Sequence, residues 1–142
     1  MFRADTQHAF RAMVALAQDT ETKVLADISR RSQVPSPMLA KVLHQLARGE
    51  LVRGQPGPGG GYRLARPAEE IQLQDVVTLM EGPGFGRSCL FGLPACSDAA
   101  PCPLHGFWGG IRRQIVAVLD EHTIADLAAG RIRIPTALGP TS

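Results

Sequence analysis

Three cysteines and a histidine stand within 17 positions of this 142-residue chain: Cys89, Cys96 and Cys102, spaced C-x6-C-x5-C, followed by a C-x2-H step to His105. Thiolates and imidazole are soft or borderline ligands, so the set can wrap one metal centre. Iron-sulfur clusters accept such irregular spacing. Structural zinc more often uses ligands two to four residues apart, a habit that only Cys102 with His105 fits. A metal-free thiol switch and three inert cysteines are the other readings of the same pattern. Three thiols cannot all pair within one chain, and Met1 to Leu16 lack the apolar block and cleavage site of a secretory signal, so a reducing cytoplasm is expected. No carboxylate pair or nucleophile–base set accompanies the cysteines, which argues against an enzyme.

A second set of residues is defined by charge. The whole chain is only +2, with 15 Lys and Arg against 13 Asp and Glu, a balance that names no polyanionic partner by itself. Between Arg30 and Arg66, however, Arg30, Arg31, Lys41, Arg48, Arg53, Arg63 and Arg66 face the single acid Glu50, a local +6 that leaves the remainder at −4. Segregation of this kind suits the phosphates of DNA, where each neutralising cation releases counterions. A solvated surface is the plainer alternative.

The elements that must position both sets are legible in the hydrophobic pattern. Ala9, Phe10, Met13, Val14 and Ala17 recur at helical steps within a helix from Asp5 to Gln18. Leu25 and Ile28 begin a short helix that ends before Pro35, because the residue preceding proline is pushed out of the helical region. Ser36 is expected as N-cap and Pro37 as first residue of a third helix, with Leu39, Val42, Leu43 and Leu46 buried up to Gly49. These two helices at a tight turn form a helix-turn-helix. The second would enter the major groove with Ser36, Met38, Lys41, His44 and Gln45 toward the bases, although a lone exposed histidine is often simply solvated.

Leu51 to Arg53 and Tyr62 to Leu64 read as a hairpin whose glycine-rich tip, with Gly59 and Gly60, approaches the DNA backbone beside Arg53 and Arg63. The tip lacks the Gly-Lys-Ser/Thr ending of a nucleotide loop. A helix from about Gln72 to Glu81 buries Val76, Val77 and Met80. Phe107, Trp108, Ile111, Ile115, Val118 and Leu119 keep helical spacing over about five turns, a long apolar face that needs a partner. Thr123 caps a last short helix ending at Gly130. The expected fold is therefore mainly α with a small β-hairpin wing: a winged helix-turn-helix over 1–81, a cysteine loop over 82–103, a dimerisation helix and short helix over 104–134, and a tail over 135–142. No apolar run reaches the roughly 18 residues of a spanning helix, so no membrane partner is expected.

This pattern resembles the winged-helix regulators that include the iron-sulfur cluster regulator, the nitric-oxide-sensitive repressor and the cysteine-metabolism repressor. The likeness is carried by Leu51-Val52, Gly57-Pro58-Gly59-Gly60-Gly61-Tyr62-Arg63-Leu64, Asp75-Val76-Val77, and Cys102-Pro103-Leu104-His105 with Trp108, and runs to about Gly130. The resemblance implies a homodimer built on the long helix, an operator with two half-sites, and in many members a [2Fe-2S] or [4Fe-4S] cluster on three cysteines. His105 matches the place of a fourth ligand in the iron-sulfur cluster regulator. Other members take that ligand from the first helix of the partner subunit, where His8 and Asp5 are the candidates. The alternative role of His105 is packing or capping. The function it implies is a DNA-binding repressor sensing redox state, nitric oxide or iron-sulfur status. A cluster-free regulator under thiol or zinc control is the alternative. The arginine that often precedes the wing glycines is Pro56 here, and Ala40 and Lys41 replace polar residues of the reading helix, so no operator sequence carries over.

Overall fold

A computed structural model describes residues 2–85 and 104–133 of the chain. Among them the elements run in order α1 (Ala4–Leu16), α2 (Leu25–Ser32), α3 (Ser36–Arg48), β1 (Val52–Gln55), β2 (Gly61–Leu64), a 3-10 turn (Ala68–Glu70), α4 (Leu73–Glu81), α5 (His105–Glu121) and α6 (Ile124–Ala129). The architecture is mainly helical with one antiparallel hairpin, as the periodicity predicts. Helix α1 is the hub, packing on α2, α3, α4 and α6. Its buried side chains Ala9, Ala12, Met13 and Leu16 meet Ile28 of α2, Leu39, Val42, Leu43 and Leu46 of α3, and Val76 and Val77 of α4 in one core.

The turn between α2 and α3 is set by Gln33, which takes the left-handed conformation (φ 57°) and donates its N–H to the Ser29 carbonyl. Ser29 Oγ donates to the Val34 carbonyl at 2.6 Å, and Arg11 reaches across from α1 to the Gln33 carbonyl at 2.9 Å. The start of α3 differs from expectation by one residue: Pro35 is the N-cap and Ser36 already the first helical residue. Pro35 has an extended ψ of 138°, and Pro37 still falls in the first turn, where its missing N–H costs nothing.

The hairpin pairs Val52 with Leu64, Arg53 with Arg63, Gly54 with Tyr62 and Gln55 with Gly61. Beyond the ladder, β2 carries a bridge the sequence did not announce, in which Lys23 and Tyr62 exchange both backbone hydrogen bonds (2.9 and 2.8 Å). That bridge accounts for Gly61, since a Cβ there would sit 2.0 Å from the Lys23 carbonyl oxygen. Gly60 is likewise required by the wing itself, because its Cβ would lie 2.0 Å from the Gln55 carbonyl oxygen. The absence of a side chain at Gly60 thus has a cause inside the wing, in addition to the close approach to DNA expected from the sequence.

At the other end of the fold, Leu73 N–H bonds the His122 carbonyl and Ile124 N–H the Ile71 carbonyl, which fastens the α5–α6 joint to the start of α4. His122 is buried there, donating from Nδ1 to the Val118 carbonyl (2.9 Å) and accepting at Nε2 from the Arg133 N–H (2.8 Å). Thr123 caps α6 by accepting from Asp126 N–H at 3.2 Å, while its own N–H donates to the Asp126 carboxylate at 3.0 Å. This backbone bond holds the Asp126 carboxyl below its ordinary range, so its contribution is present above the unfolded pKa and fades as pH falls. Thr123→Ala is expected to lower stability by about 1 kcal/mol in denaturant titrations with the transition still cooperative.

Candidate functional site

The residues expected at a DNA surface fall into two groups in the fold. On α3, Met38, Lys41, His44 and Arg48 are exposed and Ser36 and Gln45 half-buried, opposite the buried stripe of Leu39, Val42, Leu43 and Leu46. On the wing, Arg53, Arg63 and Gly59 are exposed and Gly60 is half-buried. The cavity between the two elements, about 510 Å³, is lined by Val24, His44, Gln55 and Tyr62, so α3 and the hairpin flank one open cleft.

Ion pairing separates these cations in a way the count of charges did not. Arg30 and Arg31 both pair with Asp27, one helical turn back on α2 and just outside the segment whose charge was summed. Lys41 pairs with Asp5 of α1 at 3.5 Å, and Arg66 with Asp75 at 3.7 Å. Among the described residues, Arg48, Arg53 and Arg63 have no carboxylate partner. Within the segment from Arg30 to Arg66 the uncompensated positive charge therefore lies at the end of α3 and on the wing, with Arg53 and Arg63 directly opposite each other in the ladder. Like charges so placed destabilise a hairpin unless something anionic lies across them. Arg48 was counted in the basic segment but not singled out; its i+7 spacing from Lys41 on the reading helix was the signal.

Cys89, Cys96 and Cys102 lie outside the described residues, as do the tail residues 134–142. No group of three His, Cys, Asp or Glu side chains that could hold a metal occurs among the described residues. What the structure does place are the candidate fourth ligands. His105 is the first residue of α5, with Leu104 at the N-cap, so it stands three residues after Cys102 where the helix begins. His8 has Nδ1 buried without a hydrogen-bond partner, whereas Asp5 is engaged by Lys41. The donor set of three thiols and an imidazole suits a cluster, and the orphaned nitrogen makes His8 a better second candidate than Asp5.

The entry to the cysteine loop is anchored. Glu81, the last residue of α4, accepts from the Arg3 backbone N–H at 2.9 Å and from the buried Thr6 hydroxyl, so it neutralises the N-terminal end of α1. Phe85 stacks on Phe2 with ring centroids 5.2 Å apart, and Phe2 on Phe10 at 5.8 Å. Sequence reading missed Glu81 because the partner that explains it is 75 residues away.

Helix α5 spans 17 residues, about 25 Å at 1.5 Å rise per residue, and packs mainly on α4. Trp108 and Ile115 are half-buried. Leu119 is 6% exposed and belongs to the protomer's own core, with Ile115 packed against that core. Most of the Leu119 side chain is therefore already buried within one chain. Phe107, 65% exposed, with Ile111 and Val118 forms a separate outer stripe at positions i, i+4 and i+11. Gln114 lies on the same stripe and has a buried Oε1 without a partner.

A helix-turn-helix joined to a two-stranded wing, with a long outlying helix, is the architecture of the winged-helix DNA-binding transcription regulators. Comparison with known proteins agrees. The profile of the Rrf2 family, described as an iron-dependent transcriptional regulator, matches residues 2–130, and the chain belongs to that family. An inferred helix-turn-helix-type transcriptional regulator of Mycobacterium tuberculosis (strain ATCC 25618 / H37Rv) is 34% identical over 132 residues, covering 91% of this chain and 81% of the relative. The regulator IscR of Cereibacter sphaeroides is 29% identical over 137 residues, covering 89% and 86%. Among solved structures, CymR, the global cysteine regulator of B. subtilis, superposes with a TM-score of 0.77 over 92% of this chain and 97% of the other, at 22% identity. IscR of T. potens superposes with a TM-score of 0.70 over 100% and 93%, also at 22% identity. These relatives are transcription regulators and not enzymes. No helix among the described residues is long and apolar enough to cross a membrane.

Proposed function

We propose that this protein is a homodimeric repressor whose affinity for an operator with two half-sites is set by an iron-sulfur cluster on Cys89, Cys96 and Cys102, with His105 as the fourth ligand. The observation that carries the reading is the junction at His105. The last ligands of the loop run directly into α5, the helix with an uncovered apolar stripe, so a change in the loop is a change at the helix that spaces two reading heads. The other end of the loop leaves α4 at Glu81, which is bonded to α1, and α1 is in turn paired through Asp5 with Lys41 of the reading helix. A bound cluster would supply a crosslink that oxidants or nitric oxide remove. The chain's own residues then relay the difference, because a switch requires only that the two loop states differ in affinity for DNA.

On the DNA, α3 enters the major groove and the wing lies on the flanking backbone, with Arg48, Arg53 and Arg63 meeting phosphates. Lys41 exchanges its surface pair with Asp5, worth at most about 1 kcal/mol, for the duplex. Removing one of two opposed arginines has opposite effects on folding and binding. Arg53→Ala is expected to weaken duplex binding at every sequence and to make the salt dependence shallower by about one unit of slope, without loss of thermal stability. An unchanged slope would remove the wing from the backbone contacts.

Oxygen-free purification tests the cofactor directly, through a visible absorbance spectrum with iron, sulfide and zinc analysis. Coloured protein with iron and sulfide in matched amounts is the expected result. Pale, iron-free protein in repeated anaerobic preparations would overturn it. A second reading has one observation in its favour: CymR of Staphylococcus aureus, 25% identical with a TM-score of 0.69, was solved in an oxidised form. Control through the thiols themselves, without metal, would leave such pale protein sensitive to peroxide.

A further inference from the structure

The reading helix has an apolar tip. The first turn of α3 is Ser36, Pro37 and Met38, with no acid in it. Pro37 and Met38 are exposed, Met38 to 51%, and Ser36 is half-buried. Proline offers no N–H and the methionine side chain only a weak thioether acceptor, so the exposed side chains of this tip cannot donate a hydrogen bond to a base. The polar side chains Lys41, His44, Gln45 and Arg48 all lie beyond this first turn. Apart from Met38, the large hydrophobic residues exposed among those described are Val24, at the N-cap of α2, and Phe107 of the outer stripe of α5. Met38 is thus the one such residue on the face of α3 proposed to meet DNA.

The N-terminal turn of a reading helix is the part that contacts base edges. The major groove presents hydrogen-bonding groups at every base pair and one apolar group, the C5-methyl of thymine. A flexible, polarisable thioether held at the tip by a proline-stiffened first turn is matched to that group and to little else in the groove. We infer that Met38 is a specificity-determining residue that reads a pyrimidine 5-methyl group at one position in each half-site, with Pro37 closing the apolar contact. The inference rests on the placement of α3 in the major groove proposed above. The group is carried naturally by thymine and by 5-methylcytosine.

The test begins with a random-sequence duplex pool from which the whole protein selects its own sites. Thymines of the selected duplex are then replaced one at a time by uracil, which keeps every hydrogen bond and deletes only the methyl group. Uracil is expected to weaken wild-type binding roughly three- to tenfold at one position per half-site, and to have no effect there on Met38→Ala, whose exposed site leaves the fold intact. A 5-methylcytosine arm separates the two sources: a gain over cytosine assigns the contact to the methyl group wherever it is carried, and no gain assigns it to thymine. Binding that tolerates uracil everywhere, or a uracil penalty equally large in Met38→Ala, would overturn the inference while leaving DNA binding standing. A pool that never enriches would instead overturn DNA binding, and this reading with it.

Discussion

Charging the outer stripe of α5 with the double substitution Phe107→Glu and Ile111→Glu is expected to turn the proposed dimer into a monomer and weaken binding to a two-half-site duplex by roughly 10² to 10⁴-fold. The magnitude follows from multivalency: once one reading head is bound, a tethered second head meets its half-site at high effective concentration, and a monomer forfeits that gain without losing any contact within a half-site. The positions are chosen from the fold. Phe107 is 65% exposed and Ile111 is not among the side chains packed on the core, so their replacement leaves the protomer intact. Ile115 and Leu119 would be poor choices, since they serve the protomer's own core. Sedimentation velocity and fluorescence anisotropy on the same preparations check both halves. A variant that stays dimeric places the seam elsewhere. A monomer that binds with full affinity removes the two-site operator.

Replacing Cys89, Cys96 and Cys102 together by alanine will abolish visible absorbance and iron content and change operator affinity by roughly 5- to 150-fold, the range of ordinary coupling between two sites. The sign of the change tells which form of the loop holds the DNA. Circular dichroism should stay native, because the helix-turn-helix, wing and core are complete among residues that do not include the loop. Glu81 offers a graded version. Glu81→Gln keeps its shape and hydrogen bonding to Thr6 but removes the charge from the N-terminal end of α1, so a smaller shift in the same direction is expected if the loop acts through α1. Equal affinity in the triple variant and the anaerobic wild type would end the sensing half of the proposal.

What the sequence determined by itself was everything written in periodicity and punctuation. The 3.6-residue stripes of α1, α3 and α5 were plain because burial selects apolar residues along one face. The α6 cap at Thr123 and the stop at Gly130 were plain because capping chemistry is local. The wing was legible from its glycines. Their reason was not, because the obstacles facing Gly60 and Gly61 are the backbones of Gln55 and Lys23, and the second arrives from a segment 38 positions earlier in the chain. The summed charge of residues 30–66 pointed to DNA. Only the folded chain showed that Asp27, Asp5 and Asp75 answer four of those cations and that Arg48, Arg53 and Arg63 have no carboxylate partner among the described residues. Likewise the spacing of α5 set Leu119 in the expected dimer seam, and only tertiary packing showed most of it buried in the core, because the turn carrying His122 and Thr123 is tied back onto α4 and draws the end of α5 inward. Residue type and spacing record what a position needs from its immediate neighbours along the chain. Which distant group satisfies or opposes it is decided by three-dimensional contact, and that contact separates the inner face of a helix from its outer stripe and a paired cation from an unpaired one.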